Sequence, residues 1–132
     1  MKTRKSTANG NQGSKWIRPE KRRAIYKSDG FRCIYCGRLL DDDHIETERE
    51  RTLDHLIPRS LGGSHGAHNL VTCCGHCNSA RQELSLRDWY RVLRRLGQDS
   101  QAISRRVRAA IRRHAALYPR DVARDTGLKV SN

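Results

Sequence analysis

Two cysteine pairs dominate the chemistry this sequence can do. Cys33 and Cys36 are separated by two residues, as are Cys74 and Cys77, and 37 residues lie between the pairs. A C-x-x-C turn presents two thiolates to one metal, and two such turns complete a tetrahedral zinc shell. Gly37 and Gly75 permit the tight backbone these turns need. Four thiolates leave no open position for water, so a Zn²⁺ held by Cys33, Cys36, Cys74 and Cys77 is expected to be structural. Such sites are worth roughly 10–16 kcal/mol in small peptides. That matters in a chain that is only 36% hydrophobic and 5% aromatic, too thin a core to dispense with a staple. Cys73 could replace Cys74 only by breaking the two-residue spacing, so it reads as a buried small apolar residue.

Charge is the second signal. The chain of 132 residues carries a net +13. Residues 1–30 hold nine basic and two acidic groups, residues 31–77 five and seven, and residues 78–132 thirteen and five. Two basic flanks thus surround a mildly acidic middle. The flanks attract a polyanion, and the central carboxylates can hold a divalent cation. No apolar run is long enough to cross a bilayer, and the basic N-terminus lacks the apolar stretch of a signal peptide. A cytoplasmic location is expected, where reduced thiols favour metal binding over disulfides.

Between the knuckles run Leu53-Asp54-His55-Leu56-Ile57-Pro58-Arg59-Ser60-Leu61-Gly62-Gly63, then Asn69-Leu70, then Cys74-Gly75-His76-Cys77-Asn78. Any one of these residues has an ordinary reading: Asn69 as a turn residue, Asn78 as a helix cap. Their joint order resembles the HNH endonuclease family, over about residues 20–90 and including Tyr26-Lys27-Ser28-Asp29-Gly30-Phe31-Arg32-Cys33. The closest likeness is to the subgroup in which cysteine pairs bind zinc around the catalytic hairpin. The third position of the motif is Asn78 rather than histidine, a departure that leaves the preferred divalent metal open.

The resemblance implies an α+β fold: a small ββα-metal (His-Me finger) core, stabilised by the zinc cluster and flanked by helices. It implies metal-dependent DNA endonuclease activity, with 5′-phosphate and 3′-hydroxyl products. His55 would be the general base, an imidazole whose ordinary pKa lies near operating pH. Asp54 and Asn78 would give hard oxygen ligands to Mg²⁺ or Mn²⁺. Asn69 would hold the loop that orients His55. Neighbours on a strand point to opposite faces, so Asp54 and His55 need a distortion at the strand end to reach one phosphate. Arg59 and Arg81, nearest the motif, are expected to contact the backbone of double-stranded DNA.

These residues must be positioned by a short list of elements. Residues 1–18 read as a disordered basic arm. A helix starts at Pro19 and runs to about Lys27, with Ile25 and Tyr26 inward. Strands over Thr52–Ile57 and Asn69–Thr72 and a helix over Asn78–Leu84 make the ββα unit. Ser85 and Asp88 form a capping box for a helix ending at Gly97, which closes a nuclease domain over 19–97. Residues 98–119 form a basic helix with the stripe Ile103, Val107, Ile111, His114 and Leu117. Residues 120–132 read as a flexible tail, and the carboxylate-rich stretch 41–51 as an exposed loop. The alternative function is a non-catalytic zinc-binding nucleic-acid-binding module. An RNA-binding protein fits less well, because only seven aromatics are available to stack bases. A free-standing chain of this size resembles phage and prophage HNH proteins, whose partners would be phage packaging or restriction proteins.

Overall fold

The computed structural model describes residues 17–40 and 51–127. The acidic stretch 41–50 and most of the basic arm, 1–16, lie outside the described residues. The element order is α1 (Pro19–Ser28), β1 (Arg51–His55), two single 3₁₀ turns (Arg59–Leu61 and Ala67–Asn69), β2 (Leu70–Cys74), α2 (Gly75–Arg81), α3 (Leu86–Arg95), α4 (Ser100–Leu117) and α5 (Pro119–Thr126). The fold is α+β, a two-stranded antiparallel sheet with helices around it. No helix among the described residues is long and apolar enough to cross a membrane.

β1 and β2 pair with Arg51 opposite Cys74, Leu53 opposite Thr72 and His55 opposite Leu70. Alternation then sorts the side chains onto two faces. Val71 and Cys73 join a core of Tyr35, Leu40, Leu56, Trp89, Leu93, Ile103 and Val107. Tyr35 and Trp89 meet edge to face there, with ring centroids 5.5 Å apart. Leu53 and Leu70 join a second cluster with Ile17, Ile25, Tyr26 and Ala67. Ile17 is fully packed, so ordered chain begins before the residue 18 boundary expected for the arm.

The helix ends follow local chemistry. Ser85 Oγ accepts the Asp88 amide at 3.1 Å, and Gly97 closes α3 at φ 87°. Asp99 caps α4 by accepting from the Ala102 amide at 3.0 Å. The buried stripe of α4 is Ile103, Val107, Ala110 and His114. Leu117, expected on it, is exposed, although it stands three residues from His114 at the last position of the helix. His114 Nδ1 lies 2.9 Å from Leu70 O and its Nε2 3.0 Å from Asp29 Oδ1. Asp29 Oδ2 accepts the Thr72 amide at 2.9 Å. Burial pushes the Asp29 carboxyl up, but His114 and the Thr72 amide outweigh it and hold it below the ordinary range. This knot ties α1, β2 and α4 together.

The strongest departure from expectation is α5. A helix over Pro119–Thr126 replaces the first part of the flexible tail expected over 120–132, of which residues 128–132 lie outside the described residues. Pro119 occupies the first helical turn, Asp121 complements the helix N-terminus, and Gly127 takes the left-handed conformation at the end, with φ 75°. Pro119 thus ends α4 and also starts α5.

Candidate active site and metal cluster

The second knuckle is not a loop before a helix but the first turn of one. Cys74 is the N-cap of α2, and its Sγ accepts the Cys77 amide at 3.3 Å. The helix expected from Asn78 therefore starts three residues earlier, at Gly75. The first knuckle is a tight turn in which the Cys36 amide points at Cys33 Sγ (3.5 Å), closed by a bridge between Arg32 and Leu39. Arg106 of α4 holds it from behind, donating to Ile34 O (3.2 Å) and Tyr35 O (3.0 Å).

The four sulfurs of Cys33, Cys36, Cys74 and Cys77 all lie within 4.8 Å of one another. Sulfurs bound tetrahedrally at about 2.3 Å from one Zn²⁺ would be separated by about 3.8 Å, and Cys36 Sγ and Cys74 Sγ are 3.9 Å apart. The electrostatics also favour a cation. The Cys73 and Cys77 thiols stabilise a thiolate at Cys33 and push it far down. The same arrangement pushes Cys77 up, and burial with neighbouring sulfurs raises Cys36 to about 11. One negative charge is easy to form here and four are not, so full ionisation calls for a metal. Cys73 is fully buried beside the cluster and donates to Cys74 O at 3.3 Å.

Arg81 organises the space between β1 and α2. Expected at the surface as a DNA contact, it is instead fully buried, so that reading is corrected. Its Nη1 donates to Asp54 Oδ2 (2.6 Å), Tyr35 Oη (3.1 Å) and His55 O (3.1 Å). Its Nη2 donates to Leu56 O (2.6 Å) and Leu84 O (3.1 Å). Helical spacing explains the placement: Asn78 and Arg81 are three apart on one face of α2 and meet Thr52 and Asp54, two apart on one face of β1. Asn78 Nδ2 donates to Thr52 Oγ1 at 2.9 Å. Asp54 is almost buried, and Tyr35 Oη donates to the same Oδ2 at 2.6 Å. Burial raises the Asp54 carboxyl above the ordinary range, while Arg81 and Tyr35 pull it back down. Tyr35 is itself pushed well up by burial and by Asp54, so it stays a donor.

His55 ends β1 and leaves the strand on the other side from Asp54. Its Nε2 lies 3.0 Å from His65 Nδ1, with ring centroids 5.1 Å apart. Burial, then His65, Arg59, Arg22 and Arg81, lowers the His55 imidazole to about 4, so it is neutral at pH 7. His65 is lowered by the same kind of surroundings, burial first and then Arg59. From the sequence His65 is only a residue of the loop after Gly63 with no catalytic role, and Lys21 and Arg22 of α1 carry no signal; they arrive through a loop and a helix distant in sequence.

Asn69 pins the loop that follows His55. Its Oδ1 accepts the Ile57 amide at 2.8 Å, and its Nδ2 donates to Ile57 O (3.2 Å) and Ser64 O (2.9 Å). Gly63 lies so close to this cross-brace that an added methyl would sit 2.6 Å from the Ile57 carbonyl carbon and 2.9 Å from Asn69 Nδ2. Gly62 sits in open space with φ 95°. Arg59 is exposed at the rim, with Nη1 donating to Gly63 O at 2.6 Å. From the far side α5 braces the same loop. Asp121 Oδ2 accepts the Ala67 amide (3.0 Å) and pairs with Lys21 Nζ (2.5 Å). Asp125 takes Ser64 Oγ and sits 2.9 Å from His68 Nε2, so His68 faces a carboxylate.

As donors, Asp54 and Asn78 suit a hard divalent cation. Both face the β1–α2 interface, and their hydrogen bonds run through Asp54 Oδ2 and Asn78 Nδ2. The other carboxylate oxygen and the amide oxygen retain lone pairs for a ligand. The Arg81 guanidinium beside Asp54 weakens the pull on a cation, so such a site depends on a further anionic ligand to complete it.

Residues 33–85 match the family model described as HNH endonuclease. His55, Asp54, Asn69, Asn78, Arg59 and Arg81, together with both cysteine pairs, fall inside the matched segment. No curated protein and no solved structure matches the chain.

Proposed function

We propose, from the match of residues 33–85 to the family model described as HNH endonuclease, that the protein hydrolyses phosphodiester bonds in double-stranded DNA with the help of a divalent metal. His55 is the general base. Asp54 and Asn78 hold Mg²⁺ or Mn²⁺, which on binding neutralises the scissile phosphate and the departing 3′ oxygen. A structural zinc in the cysteine cluster would tie the first knuckle to the junction of β2 and α2. The observation that carries the reading is a neutral imidazole at the strand end, in a loop that Asn69 braces on both sides of its backbone. An uncharged ring can accept a proton from water, and a braced loop holds it in place when that water attacks. Arg81 contributes by locking one oxygen of Asp54, which restricts how the carboxylate can turn. Arg59, and the cations Lys21, Arg22 and Arg124 near the two imidazoles, draw in the polyanion.

The test is nicking of supercoiled plasmid with Mg²⁺ or Mn²⁺, comparing the parent with His55→Ala. General-base catalysis is worth about 10²–10⁴-fold, and a drop in that range is expected with zinc content unchanged. A variant that cuts as fast as the parent removes His55 from the mechanism. DNA binding without any cleavage by the parent would leave the non-catalytic zinc module, a reading that the Asp54–Arg81 ion pair favours.

A further inference from the structure

We propose that His65 is a positioning residue for His55: its Nδ1 accepts the Nε2–H of His55 and so fixes the tautomer in which His55 Nδ1 is the free base. The inference rests on the nuclease reading of His55, and deepens it.

The geometry carries it. His55 Nε2 and His65 Nδ1 are 3.0 Å apart, and this is the ring hydrogen bond of His55 among the described residues. Two tautomeric arrangements satisfy that distance. If His65 donates, the His55 proton sits on Nδ1 and its lone pair at Nε2 is engaged, so the ring has nothing with which to accept a proton. If His55 donates, Nδ1 keeps its lone pair and the ring is a base. The same orienting logic operates wherever the second nitrogen of a working imidazole is held by a hydrogen-bond acceptor.

The proton balance is simple. Water loses a proton to His55 Nδ1 as its oxygen bonds to phosphorus, while the bond from phosphorus to the 3′ oxygen breaks with its electron pair on that oxygen, which takes a proton from solvent. His55 then carries protons on both nitrogens and one positive charge. Its bond to the neutral His65 becomes charge-assisted and stronger. His65 therefore favours the state that follows proton transfer over the state that precedes it.

The loop holds His65 ready. Asn69 Nδ2 fixes Ser64 O at 2.9 Å, the Gly66 amide donates to Ser64 Oγ at 3.0 Å, and Lys21 Nζ donates to His65 O at 3.1 Å. The residues on both sides and the backbone of His65 itself are thus tied down before any substrate arrives.

The experiment compares the parent, His65→Ala and His65→Asn, whose side-chain oxygen can stand near the position of Nδ1. Plasmid nicking gives kcat and KM, and ¹⁵N spectra of labelled histidine report the His55 tautomer. Circular dichroism and zinc content check the fold. The expected result is a fall in kcat of about ten- to a hundredfold for His65→Ala, an unchanged KM, and a His55 ring that passes from one tautomer to a mixture. His65→Asn should restore much of the rate. A His65→Ala protein with parental kcat and an unaltered His55 spectrum overturns the inference while leaving the nuclease reading intact. If the parent cuts nothing, yet the tautomer still responds to His65→Ala, the nuclease reading fails and the positional link stands.

Discussion

Gly63→Ala and Gly62→Ala should separate two kinds of glycine that are adjacent in sequence. At Gly63 the new methyl would overlap the Ile57 carbonyl oxygen and stand 2.6 Å from its carbon. Apolar carbons settle at about 3.5–4.0 Å, so the backbone must move by about 1 Å. The neighbour is main chain and cannot swing aside. The displaced groups are those that Asn69 bridges: the Ile57 amide, Ile57 O and Ser64 O. At about 0.5–1.5 kcal/mol for each hydrogen bond, losing two or three costs about 1–4 kcal/mol, and it loosens the loop next to His55. At Gly62 the space is open and only the left-handed backbone, φ 95°, opposes a side chain. That costs about 1–2 kcal/mol and leaves the brace intact. Urea denaturation of the zinc-loaded protein measures the stabilities, and plasmid nicking measures the function. Gly63→Ala should lose the greater stability and most of its activity, while Gly62→Ala keeps its activity. Equal midpoints and equal rates for the two variants would refute the reasoning about the brace.

Arg81→Met should destabilise by about 3–5 kcal/mol, because it strands the Asp54 carboxylate in the interior. Adding Asp54→Asn should recover part of that loss, and a double variant no more stable than Arg81→Met alone would show that the pair is not coupled. Stripping the cysteine cluster with a strong chelator should unfold the chain, since a zinc worth roughly 10–16 kcal/mol matches or exceeds the typical stability of a whole domain; a melting curve that ignores the chelator would contradict it. The acid limb of kcat/KM should fall near pH 4, where His55 titrates, rather than near its ordinary 6.5. The same depression has a stability consequence: the unfolded chain takes up the proton more readily, so the contribution is complete above pH 6.5 and is lost as pH falls toward 4. A rate profile that falls away already at 6.5 would argue against a desolvated imidazole.

Much of the site was legible in the sequence because its parts are periodic or paired. The two C-x-x-C turns predicted a cluster, and the four sulfurs do converge. The capping pair Ser85 and Asp88 marked a helix start that the structure reproduces. Arg81 was misplaced because a basic residue late in a short polar helix usually faces water. The contrary signal was present: Cys77, Asn78 and Arg81 recur at helical spacing, so Arg81 shares the inward face with a metal ligand. His65 had no such signal, since a loop has no period and a contact across ten residues is set by how the loop is braced. The α5 helix is hidden in the sequence because a proline that follows a long helix reads first as its end. A proline ends one helix and suits the first turn of the next equally well, and Asp121 and Gly127 were the markers that distinguish the two.

The bonds from Asp121 and Asp125 to the loop around Ser64 and Ala67 also set an order of events during synthesis. A ribosome releases the knuckles, the hairpin and α2 well before it releases the splint that steadies them. A nascent chain that ends before Asp121 already holds all four cysteines of the cluster, while the stretch around Ser64 and Ala67 still lacks its support. The loop then gains its splint only once α5 has emerged, and a stop just upstream of Asp121 would leave that loop without the two carboxylates that hold it.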